Sequence, residues 1–211
     1  MKFIILLFAL LPLLFTACDP YDTGVTCRGQ LEFHLPLEVV GLKDTLQIGD
    51  TLIFRLAFPD QLNEHRSGVA YDFLDYDFRL STLLGRIDSL PISAATKDYF
   101  DFFVVKGEAT YASGSYYIRP EYTDGFYEFE AFYVAKRAGL FGNSTISNYD
   151  RHRPLKKLEG PCCKDVVYIL PEYVSIHSDN YDFMKFSPSD AQANVDRQRF
   201  EEAAGFCFFV R

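Results

Sequence analysis

The chain has no tryptophan and only two methionines, and it also lacks the short motifs that announce common enzyme classes. No Gly-x-Ser-x-Gly elbow, no His-Glu-x-x-His pair and no phosphate-cradling glycine loop occurs. Its four histidines, His34, His65, His152 and His177, are scattered along the chain. Each reads as a surface or turn residue, so no catalytic residue, no cofactor and no metal site is expected. A basic surface is missing as well: 21 Lys and Arg stand against 29 Asp and Glu, a net charge of -8. Phosphate binding needs clustered positive charge, which excludes a nucleic-acid partner. The one basic concentration, Arg151-His152-Arg153 with Lys156-Lys157, surrounds Pro154 and reads as a solvated loop. Finally, the longest apolar run, Phe3 to Phe15, contains Pro12 and is followed by Asp19, Pro20 and Asp22. A bilayer crossing takes about 20 apolar residues, so this run is too short and too badly flanked to span.

That run does have the layout of an export signal: a positive charge at Lys2, the apolar core, then the small pair Thr16-Ala17 before Cys18. An ordinary cleavage after Ala17 needs a small residue where Phe15 stands. Leu14-Phe15-Thr16-Ala17-Cys18 resembles the lipobox of bacterial lipoproteins. The resemblance implies cleavage before Cys18, a diacylglycerol on its sulfur and, usually, an acyl chain on the new amino terminus. Each buried methylene contributes about 0.8 kcal/mol, so one chain holds marginally and two or more hold stably. The expected organisation is a removed signal over 1–17, a lipid-anchored tether over 18–29 and a single domain over 30–211. A helical elaboration occupies its last part, from about residue 160 to 211.

Aromatic residues are abundant, with 21 Phe and 14 Tyr. Flat side chains fit a pleated, half-buried surface, and the order of apolar and polar residues agrees. Leu31 to Val40 is extended but holds Pro36, which suits an edge or a bulge. Thr51 to Phe58 follows a turn at Gly49-Asp50. Val69 to Leu80 alternates Leu74, Tyr76, Phe78 and Leu80 with Asp75, Asp77 and Arg79, the period of a half-buried strand. Phe100 to Lys106 and Tyr111 to Arg119 read as a hairpin through Gly107. Gly125 to Ala135, Phe141 to Ser147 and Asp165 to Leu170 are further strands. Ser187-Pro188-Ser189-Asp190 opens one helix, with Ser187 as its cap, and Gly205 ends it in a left-handed turn. Phe206 to Val210 closes the chain as a strand. Spaced strands with turn signals between them indicate an all-β sandwich with a C-terminal helix.

Four cysteines besides Cys18 remain: Cys27, Cys162, Cys163 and Cys207. Export permits disulfides. Neighbouring cysteines bond to each other only in a strained ring, so Cys162 and Cys163 are expected to reach separately to Cys27 and Cys207. Asp179, Asn180 and Asp182 offer oxygen ligands for Ca²⁺ but lack the spaced EF-hand order, and they read as turn residues.

Asp44-Thr45-Leu46-Gln47-Ile48-Gly49-Asp50-Thr51-Leu52, Glu128 to Leu140 and the closing Gly205 to Val210 are together similar to a pattern in uncharacterised lipoproteins of the Bacteroidota. That resemblance implies an immunoglobulin-like or related β-sandwich on the cell envelope and no particular activity. It also implies O-glycosylation at Asp followed by Ser or Thr and an apolar residue, which marks Thr45, Thr51 and Ser89. The competing explanation is that Asp-Thr starts strands well. Two functional classes follow. One is a non-catalytic outer-membrane lipoprotein, periplasmic or surface-facing. Apart from the membrane lipid itself, its partner is a glycan or another envelope protein met through tyrosines such as Tyr116, Tyr117 and Tyr122. The other is a hydrolase of glycans or peptides, needing two carboxylates or a nucleophile-base pair in one cleft; pilus-like assembly by strand exchange is a third reading. The anchor is tested at its acceptor: Cys18→Ser is expected to abolish metabolic labelling with a fatty acid and the accompanying processing, and normal labelling of the variant would overturn it.

Overall fold

Alternating apolar residues sort this chain into strands whose inward faces meet. The computed structural model describes residues 30–74, 76–89, 96–147, 166–175, 179–202 and 204–211. In chain order its elements are β1 (Gln30–Val40), β2 (Thr45–Leu46), β3 (Thr51–Pro59), β4 (Gln61–Asn63), β5 (Ala70–Asp72), β6 (Leu80–Arg86), α1 (Thr96–Tyr99), β7 (Phe100–Lys106), β8 (Glu108–Ala112), β9 (Ser115–Arg119), β10 (Glu121–Thr123), β11 (Phe126–Ala135), β12 (Gly139–Ser147), β13 (Val166–Ser175), a 3₁₀ turn (Tyr181–Phe186), α2 (Asp190–Ala193), α3 (Arg197–Glu202) and β14 (Phe206–Val210). Among the described residues they form two six-stranded sheets and the small pair β4-β5. The first sheet runs β10-β11-β3-β1-β13, with β7 also on β11, and the second runs β2-β14-β12-β6-β9-β8. The protein is an all-β sandwich; Leu31–Asp150 with Val167–Arg211 is one compact unit.

The longest register pairs β11 with β3, from Phe126 opposite Pro59 to Val134 opposite Thr51. Side chains alternate between the faces of a strand, so Leu52, Phe54, Leu56 and Phe58 of β3 turn inward together with Tyr127, Phe129, Ala131 and Tyr133 of β11, and all are buried. β1 repeats the pattern with Phe33, Leu35, Leu37 and Val39. Rings from the two sheets meet edge-on or tilted: Phe54 and Phe206 at 6.0 Å, Phe100 and Phe141 at 4.9 Å. Burying each such side chain contributes about 1.5–3 kcal/mol, and an edge-to-face pair adds about 0.5–1.5 kcal/mol. Tyr133 is fully buried among Phe54, Phe100 and Phe102, and that burial pushes its phenol well above the usual range.

Three stretches differ from the sequence expectation, each for a local reason. Val69 to Leu80 is not one strand: among the described residues Ala70–Asp72 pairs with β4, and the strand that enters the sandwich begins at Leu80. Asp72 Oδ1 accepts the Leu74 N–H at 2.9 Å, a side-chain turn that competes with the ladder. Leu74 is left exposed while Phe73 goes inside. Phe100–Lys106 and the following strand are not a hairpin either. β7 lies on β11 in one sheet, the chain changes sheets at Gly107, and β8 pairs with β9 in the other. The hairpin turn is Ser113-Gly114, with positive φ at both residues, the primed geometry that matches strand twist. The C-terminal helix is split in two. Ser189 rather than Ser187 is the cap residue of α2; Asn194 ends it, and Asp196 Oδ1 accepts the Arg199 N–H at 3.2 Å to open α3.

The end of α3 corrects two further expectations. Ala204, at φ +44°, takes the left-handed position assigned to Gly205. Gly205 is needed for close approach instead: a Cβ there would lie 2.6 Å from Phe200 Cδ2 and 2.7 Å from its carbonyl oxygen. Cys207 is a free, buried thiol rather than a disulfide partner. Its sulfur points into a cluster of Ile87, Leu140, Met184 and Phe200, 3.4 Å from Met184 Sδ, and burial pushes the thiol up to about 12. Cys18, Cys27, Cys162 and Cys163 lie outside the described residues.

The β4-β5 connection is organised by a buried carboxylate. Glu64 Oε2 accepts the N–H groups of Ser67 at 2.6 Å and Arg66 at 3.1 Å, and Oε1 accepts that of Glu32 on β1 at 3.2 Å. The Ser67 hydroxyl first, then these N–H groups, hold the Glu64 carboxyl down to about 2 against its burial. A carboxyl held this low stabilises the fold above its ordinary value and loses that contribution as pH falls. Wild-type stability is therefore expected to fall between pH about 4.5 and about 2. Glu64→Gln should be less stable at neutral pH, with the gap closing over that window; a constant gap in denaturation midpoints would refute the assignment. Gly205→Ala is expected to cost about 1–3 kcal/mol in chemical denaturation, through overpacking against Phe200; an unchanged midpoint would show that the ring yields freely.

Candidate binding cleft

Where β9 passes into β10, beside the crossover at Gly107, the surface opens into a cleft of about 540 Å³. Its walls are Tyr76, Asp77, Glu108, Arg119, Tyr122 and Tyr127, with Gly107, Pro120 and Glu121. Each wall is placed by the sandwich. Tyr76 and Asp77 come from the β5-β6 connection, where the Tyr76 N–H donates to the Phe73 carbonyl at 2.9 Å and Phe78 is driven into the core beneath. Arg119 and Tyr122 flank Pro120 at the step from the second sheet to the first. Asp124-Gly125, both at positive φ, folds β10 back on β11 in a tight turn and sets Tyr122 opposite Tyr127.

The aromatic walls continue the core outward. Phe58 stacks on Tyr127 at 5.4 Å, Phe78 meets Tyr127 edge-on at 4.7 Å, Tyr76 meets Phe78 at 4.7 Å, and Tyr122 tilts against Tyr127 at 4.8 Å. Tyr127 donates its hydroxyl to the Phe73 carbonyl at 2.8 Å, and Tyr122 donates to Asp60 Oδ2 at 2.8 Å. The tyrosine rings are thus fixed at both ends. On the polar side the largely buried Asp77 lies between two guanidinium groups: Arg79 Nε donates to Oδ2 at 2.8 Å, and Arg119 Nε approaches Oδ1 at 2.7 Å. Rigid aromatic faces beside fixed, partly exposed polar groups suit a ligand with alternating apolar and hydroxyl surfaces.

Of the tyrosines singled out in the sequence, only Tyr122 reaches this cleft. Tyr116 stacks on Phe102 at 3.9 Å and meets Tyr111 at 5.0 Å, while Tyr117 is half-buried opposite Thr110 and Ser81. Thr45 and Thr51 are the first residues of β2 and β3, Thr51 exposed and Thr45 half-buried; Ser89 is half-buried after β6. Asp179 and Asn180 bond within the protein. Asp179 Oδ1 accepts the Tyr181 N–H at 3.1 Å and Asn180 Nδ2 donates to the Cys207 carbonyl at 3.0 Å, which is turn duty. The histidines are not all apart: His34 and His65 stack with ring centroids 4.0 Å apart, while His152 and His177 lie outside the described residues. Tyr76, Asp77, Arg119 and Tyr127 were missed as site residues. For Tyr76 and Asp77 the available signal was the run of aromatic and Asp residues from Tyr71 to Phe78, which reads first as a strand.

No protein-family model matches the chain, and no curated protein does. Among solved structures it is similar to the human F-spondin reeler domain, in one crystal structure at 15% identity over 70% of this chain and 85% of that one, with a TM-score of 0.34. A second crystal structure of that domain gives 12%, 72% and 91%, with a TM-score of 0.33. The CupB6 tip adhesin from Pseudomonas aeruginosa gives 9% identity over 73% of this chain and 44% of that one, with a TM-score of 0.24. Likenesses this distant carry no functional argument.

Proposed function

We propose that this protein is an exported, lipid-anchored module of the cell envelope, attached to the outer membrane through Cys18, that binds a glycan in the tyrosine-walled cleft without transforming it. The observation that carries the reading is the pairing of Tyr76 and Tyr122 with Asp77 and Arg119 across one opening. Sugar rings present apolar faces that stack on tyrosines and hydroxyl edges that bond to carboxylates and guanidinium groups. Binding is favoured over hydrolysis because Asp77, the most enclosed carboxylate of the cleft, engages Arg79 and Arg119 with its two oxygens. A glycosidase needs two carboxyl groups free to act on one bond.

A second reading, assembly by strand addition, has one observation in its favour. β7 pairs only with β11 among the described residues and leaves Phe103, Val104 and Val105 exposed. The glycan reading is tested by screening the purified full chain on an array of bacterial and dietary glycans, then titrating the best ligand calorimetrically. Tyr122→Ala is expected to weaken binding by about tenfold, the value of one stacked ring, and Tyr117→Ala to leave it unchanged. Absence of saturable binding to any glycan would overturn the reading.

A further inference from the structure

On the outer face of β1, with no residue shared with the cleft, three side chains of metal-binding type converge. β1 alternates, so Phe33 and Leu35 go into the core while Glu32 and His34 stand side by side outside. His65 arrives from the β4-β5 connection, its backbone N–H bonded to the Glu32 carbonyl at 2.7 Å. One carboxylate oxygen of Glu32 and one ring nitrogen from each histidine lie within 4.8 Å of one another. We propose that Glu32, His34 and His65 form a site for a divalent transition-metal ion of the Zn²⁺ class, with a fourth coordination position open to solvent.

Two imidazoles and a carboxylate are a ligand set that Zn²⁺ takes in sites with an open position. Bonds of about 2.0–2.1 Å put tetrahedral donors roughly 3.3 Å apart. His65 is exposed and stacked on His34, and a rotation of its ring would close the remaining distance. His34 Nε2 now meets Glu32 Oε1 at 2.7 Å, a contact that a metal ion inserted between them replaces. The surroundings are built for that exchange. Glu172 on β13 holds His34 Nδ1 at 3.0 Å, so with the metal on Nε2 the Nδ1–H donates to a carboxylate, the outer-shell arrangement that orients metal-bound histidines. Arg66 Nη2 lies 3.3 Å from Glu32 Oε2, and Glu64 anchors both the Glu32 backbone and the loop carrying His65. Among the described residues around the site, the carboxylates of Glu32, Glu64 and Glu172 outnumber the guanidinium of Arg66, an arrangement that favours a cation.

The same groups could instead be a plain ion-pair network around a protonated His34, and the experiment separates the two. Untagged full chain is titrated with Zn²⁺ calorimetrically, and with Co²⁺ while visible absorption is followed. One equivalent of metal per chain is expected, with a rise in the thermal midpoint. His65→Ala, which removes an exposed ring and leaves the strands intact, is expected to lose more than about a hundredfold in affinity and the d–d band of the Co²⁺ form. Glu172→Gln is expected to lose about 10–100-fold, the usual effect of an outer-shell carboxylate. Tyr122→Ala should bind metal as the wild type does, which keeps this result independent of the cleft. Failure of the wild type to bind one equivalent, or wild-type affinity in His65→Ala, would overturn the proposal.

Discussion

The register between β3 and β11 is the constraint from which the other placements follow. A shift of one residue would turn Leu52, Phe54, Leu56 and Phe58 to the solvent side together. At about 1.5–3 kcal/mol for each exposed side chain, such a slip would cost as much as a domain's whole stability. β11 is longer than its other partners, so once it is locked on β3 its second edge is shared. β10 takes the end near Phe126 and β7 takes the end near Ala135. β1 then joins the opposite side of β3. The sheet that carries both the cleft and the histidine pair is laid out from this one pairing.

The cleft follows from that shared edge. β7 and β10 lie on the same strand, yet the chain between them leaves the first sheet at Gly107, makes the β8-β9 hairpin in the second, and returns at Pro120. Departure and return leave Gly107, Glu108, Arg119 and Pro120 around one opening. Its floor is Tyr127, which is buried and belongs to the core through Phe58 and Phe78. Tyr122 is therefore held by packing continuous with the hydrophobic interior, which lowers the entropy lost when a ligand stacks on it.

What the sequence makes legible divides by the range of the interaction. The all-β class, the strands ending in Phe58, Ala135 and Val210 and the inward residues of β11 are legible because a period of two is a local property that burial then enforces. The misreadings occur where a polar side chain or a partner distant in sequence decides. Asp72 bends what alternation reads as a strand, and Asp196 splits what the start and stop residues mark as one helix, both by offering the backbone a side-chain partner. The second sheet's claim on β8 has no local trace at all, so Gly107 looks like a hairpin turn. Cys207 looks like a disulfide partner by count, but its burial against Met184 depends on contacts spread over the chain. Tyr122 and Tyr116 look alike as residue types, because only the fold distinguishes a tyrosine over the cleft from one stacked on Phe102.

The histidine pair shows how a local feature can be visible and its consequence hidden. Glu32 and His34, two apart in an alternating strand, share a face by periodicity alone. His65 joins them because of Pro36. Proline has no N–H to give a ladder, and the pairing of β1 with β3 runs only from Leu37 onward. β3 meanwhile ends at Pro59 and the chain folds into the β4-β5 pair. The backbone of Glu32 finds its partners in that pair's connection instead: its N–H donates to the Glu64 carboxylate and its carbonyl accepts from His65. The bonds that replace the missing stretch of ladder carry the His65 ring onto His34. β1 is not an edge strand, since it lies between β3 and β13, but the ladder it gives up at Pro36 leaves room for Glu32, His34 and His65 to meet on the sheet's outer face. A residue restoring the N–H at position 36 would favour extension of the β1-β3 ladder at the expense of that meeting.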